Sequence, residues 1–159
     1  MTETKKKREY KMAHPKYSYK QVAKTIDHSL LKPEMTRNEV KEGCEIAKNY
    51  DVASVCCKPS DVSFCTELLR GSDVLVGTVV GFPHGSSTTL TKVFETKEAI
   101  KDGATEIDMV LNIGLLKSGE DAKVQEDIAA VVKAAAGHTV KVILENSYLS
   151  DDEKVRGCK

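Results

Sequence analysis

The residue in this chain best placed to do chemistry is an aspartate in the middle of an apolar strand. Thr105-Glu106-Ile107-Asp108-Met109-Val110-Leu111-Asn112 has the apolar, alternating content of a strand, and Asp108 lies at its centre. Strand side chains alternate, so Asp108 shares a face with Glu106, Val110 and Asn112, while Ile107, Met109 and Leu111 take the other. An ionised carboxylate there is costly unless a charge or a hydrogen-bond donor meets it. Proton transfer is the chemistry such a group serves. Asp27, Cys56, Asn112, Lys141 and Glu145 are likewise polar or reactive residues in or just after apolar strands.

Those residues need a frame that brings strand ends together, and the chain alternates strand and helix from Tyr17 onward. Thr25–Leu30 reads as a first strand. Thr36 and Glu39 form a capping box for a helix striped by Val40, Cys44 and Ala47. Val52–Cys57 is a second strand stopped by Pro59, and a helix from about Ser60 carries Val62, Cys65 and Leu69, with Gly71 at its C-terminal cap. Val74–Val80 is a third strand, ending in Gly81-Phe82-Pro83-His84-Gly85. The next helix is expected over 86–102, with Leu90, Val93, Phe94 and Ile100 as its apolar side and Gly103 as its stop. After the Asp108 strand, Val124, Ile128, Val131 and Ala135 repeat at helical spacing. Val140–Glu145 is a fifth strand, and Ser150 with Glu153 caps one more helix.

Regular alternation without hairpin signals predicts a parallel sheet covered by helices, an α/β fold. A doubly wound open sheet usually has a Gly-rich turn after its first strand; Ser29-Leu30-Leu31-Lys32-Pro33 has no glycine, and no phosphate-cradling G-x-x-x-x-G-K-[ST] occurs. A (β/α)8 barrel points polar residues from the C-terminal halves of several strands into one site, which is the pattern seen here.

Composition excludes several classes. The 159 residues carry 24 Lys+Arg and 24 Asp+Glu, so a net charge of zero gives no bulk affinity for nucleic acid or an anionic membrane. No apolar run approaches the ~20 residues of a membrane span, and no apolar stretch follows the basic N-terminus as a secretory signal requires. Five cysteines without C-x-x-C or His/Cys ligand spacing predict reduced thiols, no metal, and a cytoplasmic location. Residues 1–16, with Lys5-Lys6-Lys7-Arg8, are expected to be a disordered basic tail preceding a domain over 17–159.

The segments Ile26-Asp27-His28-Ser29-Leu30-Leu31-Lys32-Pro33, Ser54-Val55-Cys56, Gly77-Thr78-Val79-Val80-Gly81-Phe82-Pro83-His84-Gly85, Glu106-Ile107-Asp108-Met109-Val110-Leu111-Asn112-Ile113-Gly114 and Lys141-Val142-Ile143-Leu144-Glu145 together resemble the deoxyribose-phosphate aldolase family. The third and fourth segments are specific, and the order and spacing match from about Tyr17 to the last residue. The resemblance implies a (β/α)8 TIM barrel, of which this chain would supply about five βα units as a truncated barrel. It implies a class I aldolase without metal or cofactor, cleaving 2-deoxyribose 5-phosphate to glyceraldehyde 3-phosphate and acetaldehyde through a lysine Schiff base. By the same correspondence Asp108 is the proton donor/acceptor, Asp27 and Cys56 line the pocket, and Lys141 lies beside it.

The resemblance also implies what is missing. The family's Schiff-base lysine lies on a sixth strand in a Lys-Thr-Ser-Thr-Gly-like segment, and no such segment occurs here, so no residue of this chain corresponds to it. A second lysine and the phosphate-holding turns belong to later strands. Two readings follow: an aldolase family member acting on a small sugar phosphate, and a non-catalytic partial barrel that pairs with another chain, a homo-oligomer included, through the open sheet edge after its fifth strand. Plain structural readings stand beside these. Asp108 and Lys141 would then be a buried pair, Cys56 and Cys57 small core residues, and His28 and His84 hydrogen-bonded strand-end residues.

Overall fold

The computed structural model describes residues 16–159. The basic tail expected at 1–16 lies outside these but for Lys16, which is exposed with its ammonium 5.4 Å from the Tyr17 ring centre. The elements in order are α1 (Tyr19–Ala23), β1 (Asp27–Leu30), α2 (Arg37–Tyr50), β2 (Ser54–Cys57), α3 (Val62–Leu69), β3 (Leu75–Val80), α4 (Thr89–Lys101), β4 (Glu106–Val110), α5 (Ile113–Lys117), α6 (Asp121–Ala134), β5 (Thr139–Ile143) and α7 (Asp151–Gly157). All five strands pair in parallel, in the order β1-β2-β3-β4-β5. Each strand lies beside its neighbour in sequence, as in a barrel wall and unlike a doubly wound sheet.

Alternation divides the sheet into two faces. Leu30, Val55, Cys57, Val76, Val80, Ile107 and Met109 form one buried core with Val40, Cys44 and Ala47 of α2 and Val62, Cys65 and Leu69 of α3. The opposite parity, from Asp27 to Lys141, carries the polar residues. A smaller cluster of Leu111, Leu116, Val124 and Leu149 seats α5 and α6. The expected capping boxes form at Thr36/Glu39 and Ser150/Glu153, each cap hydroxyl accepting from the N3 amide. Two short helices were not expected. Ser18 with Gln21 caps α1, and Asn112 caps α5 by accepting from the Leu115 amide, which ends β4 earlier than its apolar run suggests. No helix among the described residues is long and apolar enough to cross a membrane.

Helix α4 departs furthest from expectation. It begins at Thr89, because the Thr88 hydroxyl caps it, and not at Ser86. Its expected apolar side is split: Leu90 is 81% exposed and Phe94 64%, whereas Val93 and Ile100 are half-buried, Ile100 against the core, and Lys92, Thr96 and Ala99 face inward. Burying Leu90 and Phe94 would gain about 1.5–3 kcal/mol each. That gain is outweighed by the partners of Lys92, whose ammonium reaches Asp127 at 2.5 Å and the Val110 carbonyl at 2.9 Å. Leu90→Glu and Phe94→Glu are therefore expected to move the urea unfolding free energy by no more than about 0.5 kcal/mol. A loss of 2 kcal/mol or more, of the order of a buried side chain, would mean that these residues are covered.

Candidate active site

Four residues singled out from the sequence meet on the polar face of the sheet. The Lys141 ammonium on β5 lies 2.6 Å from Asp27 Oδ2 on β1 and 3.2 Å from Asp108 Oδ1 on β4. Asp108 and Lys141 are register partners on adjacent strands. Asp27 is not adjacent: β1 and β5 are four strand spacings apart, about 19 Å in a flat sheet. The 2.6 Å bond therefore requires a sheet curled about this face, as a barrel wall is. The Cys56 thiol on β2 donates to Asp108 Oδ2 at 3.6 Å.

Two further groups complete the cluster. Glu106 shares the Asp108 face and sets Oε2 3.4 Å from the Lys141 ammonium. Its parity with Asp108 was visible in the sequence, though it was read only as a neighbour. Ser54, fully buried and in register with Asp27, donates its hydroxyl to Asp27 Oδ1 at 2.7 Å. A serine two residues before Cys56 on the same face was the available signal. Asn112 and Glu145 do not join the cluster. Asn112 is spent on the α5 cap, and Glu145 sits in a left-handed turn (φ 53°) where its carboxylate accepts from the Ser147 hydroxyl.

Three carboxyl groups thus face one amine. Burial alone would push the Lys141 amine down, but the Asp27 hydrogen bond and the Asp108 charge override it and hold it above the ordinary lysine range. Lys141 is a fixed cation. Asp108 goes the other way for a carboxyl: burial raises it, and Lys141 offsets only part of the rise. Its Oδ1 is buried, with the Lys141 ammonium 3.2 Å away as its ion-pair partner. Burial, then the neighbouring Asp108 charge, push the Cys56 thiol up to about 12, so it is a neutral donor and not a thiolate nucleophile. Asp108 therefore has the environment of a proton-exchanging acid, with Lys141 and Cys56 to steady either charge state. Among the described residues no cluster of His, Cys, Asp or Glu is arranged to hold a metal ion.

Asp27 titrates below the ordinary carboxyl range, because the Lys141 and Ser54 hydrogen bonds outweigh burial, the largest single influence and one that acts upward. A depressed folded-state pKa stabilises the fold above about pH 4, and the stabilisation is lost as pH falls through the depressed value. The raised Asp108 acts oppositely, favouring the fold below about pH 4 and fading as pH rises through its folded value. Asp27→Asn is expected to lower the urea midpoint at neutral pH and to flatten its acid decline, measured stepwise from about pH 6 to 2. An unchanged acid limb would show that the Lys141–Asp27 bond carries no stability.

The family model described as DeoC/LacD family aldolase matches residues 21–157. The deoxyribose-phosphate aldolase of Staphylococcus saprophyticus is 58% identical over 134 residues, covering 84% of this chain and 61% of that protein. That of Caldanaerobacter subterraneus is 55% identical over 141 residues, covering 87% and 61%. Among solved structures, the tetrameric deoxyribose phosphate aldolase from Aeropyrum pernix superposes with a TM-score of 0.80 at 28% identity, covering 88% of this chain and 59% of that one. The chain spans about three fifths of the length of the curated relatives it matches.

Proposed function

Since the chain belongs to the DeoC/LacD family of aldolases, we propose that its strands carry the acid–base part of a site that cleaves 2-deoxyribose 5-phosphate to glyceraldehyde 3-phosphate and acetaldehyde. The observation that supports this most directly is Asp108: half-buried, raised in pKa, and ion-paired through one buried oxygen to a fixed ammonium. In a class I retro-aldol step the substrate aldehyde is held as an iminium on a lysine. A base takes the C3 hydroxyl proton, the C2–C3 bond breaks, and its electron pair moves into the iminium to give an enamine. A proton then returns to the enamine carbon. Asp108 is suited to both transfers, directly or through a water, because its carboxyl changes charge at modest cost beside Lys141.

Lys141 is not the imine lysine in this reading. Attack on an aldehyde needs a free amine, and the carboxylates around Lys141 keep it protonated. Borohydride treatment of the 159-residue chain with acetaldehyde, followed by peptide mass spectrometry, is expected to leave Lys141 unmodified. A specific Lys141 adduct would overturn that assignment. The function itself is tested by completing the chain with the part of the S. saprophyticus relative that lies outside the matched 134 residues. The fusion is expected to cleave deoxyribose 5-phosphate. A folded fusion that forms the imine and yet releases no acetaldehyde would refute the reading.

The substrate class is a small sugar phosphate, and self-association like that of the tetrameric relative belongs to the same reading. Five cysteines, none of them in a disulfide, support a reducing compartment, the cytoplasm. Nothing in the fold or the comparisons favours a non-catalytic pairing fragment.

A further inference from the structure

Lys92 is the one fully buried charged side chain among the described residues, and the acid–base cluster does not use it. It rises from α4, its ammonium bonded to Asp127 Oδ2 on α6 at 2.5 Å and to the carbonyl of Val110 at 2.9 Å. Asp127 is held in turn by the Thr89 hydroxyl, which donates to Oδ1 at 2.7 Å. Val110 lies two residues beyond Asp108 on the same strand face. The last β3–β4 register pair is Val80 with Met109; β3 then stops, because Gly81 turns away with φ +63°. The Val110 carbonyl lies one residue past that pair and accepts a hydrogen bond from the Lys92 ammonium.

The stem of Lys92 also lies under the loop that leaves β3. A Cβ on Gly81 would come within 2.9 Å of Lys92 Cε, and one on Gly85 within 1.8 Å of the Leu111 carbonyl oxygen. The loop is closed by the Gly85 amide donating to Gly81 O at 2.8 Å, and Gly81 donates in turn to Glu95 of α4 at 2.9 Å. One side chain therefore touches the end of the Asp108 strand, the 81–85 loop and α6.

We propose that Lys92 is a positioning residue, a brace that substitutes for the absent next rung of β3 and fixes both the end of the Asp108 strand and the 81–85 loop against α6. Its relevance to catalysis rests on the aldolase reading. The test reads geometry and not turnover, so the two fail separately.

The experiment compares the 159-residue chain with Lys92→Met/Asp127→Leu, which removes both buried charges together. Amide hydrogen exchange at Gly81, Gly85 and Leu111 is expected to accelerate about tenfold or more, with α2 and α3 amides unchanged. The Asp108 carboxyl, followed by 13C NMR and assigned through Asp108→Asn, should titrate closer to the ordinary carboxyl value, because a loosened strand end admits water. A residue that only adds global stability would leave the Asp108 titration where it is. A folded double variant with native exchange at these amides and a native Asp108 titration overturns the proposal. Should the double variant not fold, Thr89→Val supplies the same test with Lys92 in place. It removes only the Thr89 hydrogen bond to Asp127, and an acceleration of about two- to threefold at the same amides is expected. No acceleration there overturns the brace as well.

Discussion

Asp108→Asn, placed in the chain completed with the remaining part of the S. saprophyticus relative, is expected to lower kcat for deoxyribose 5-phosphate cleavage by about 10²–10⁴-fold with little change in KM. The substitution preserves shape, and the amide can still accept from the Cys56 thiol, so binding survives while proton exchange is lost. The pH profile is the sharper check. Burial holds the Asp108 carboxyl above the ordinary carboxyl range, so the acid limb of kcat belongs above about pH 4 and should vanish in the variant. An Asn enzyme that keeps both the rate and the acid limb would remove Asp108 from the chemistry. Cys56→Ser, which keeps a donor to Asp108, should cost far less.

Lys92→Met alone should destabilise the chain by about 3–5 kcal/mol, because it leaves the Asp127 carboxylate buried without its cation. Adding Asp127→Leu removes the stranded charge and should restore most of that loss. The recovery should stop short by about 1–3 kcal/mol, because the Val110 carbonyl has still lost its donor. Urea unfolding of the native chain, both single variants and the double variant gives the cycle. Additive single effects would mean that the two charges do not depend on each other.

Much of this arrangement was legible in the sequence because strand parity is a strict code. Once five strands are placed, Asp27, Cys56, Asp108 and Lys141 must share a face, and the register then decides which of them touch. Glu106 and Ser54 obey the same parity and were available to it. What could not be read was Lys92. Its partner lies 35 residues away on another helix, and the composition of α4 argues for the opposite rotation, with Leu90 and Phe94 inward. A periodicity argument ranks side chains by hydrophobicity and has no access to a distant carboxylate that makes a lysine the residue to bury. Asn112 and Glu145 misled for a related reason. A polar residue just after a strand serves the backbone of the next turn as readily as a site, and the sequence does not distinguish the two.

The bond between Lys141 and Asp27 joins residues 114 apart in sequence, and β1 and β5 are not paired with each other. Strand pairing here is otherwise local, each strand waiting only for the next βα unit. Closing this one chord requires every intervening unit to be present and the sheet to have reached its final curvature. It is therefore the longest-range contact in the cluster and the one whose closure costs the most loop entropy. An intermediate in which β1 has not docked keeps Lys141 beside Asp108 and Glu106 on the two adjacent strands but leaves the lysine without its shortest bond, so the three-carboxylate cage is complete only when the first unit and the last have met.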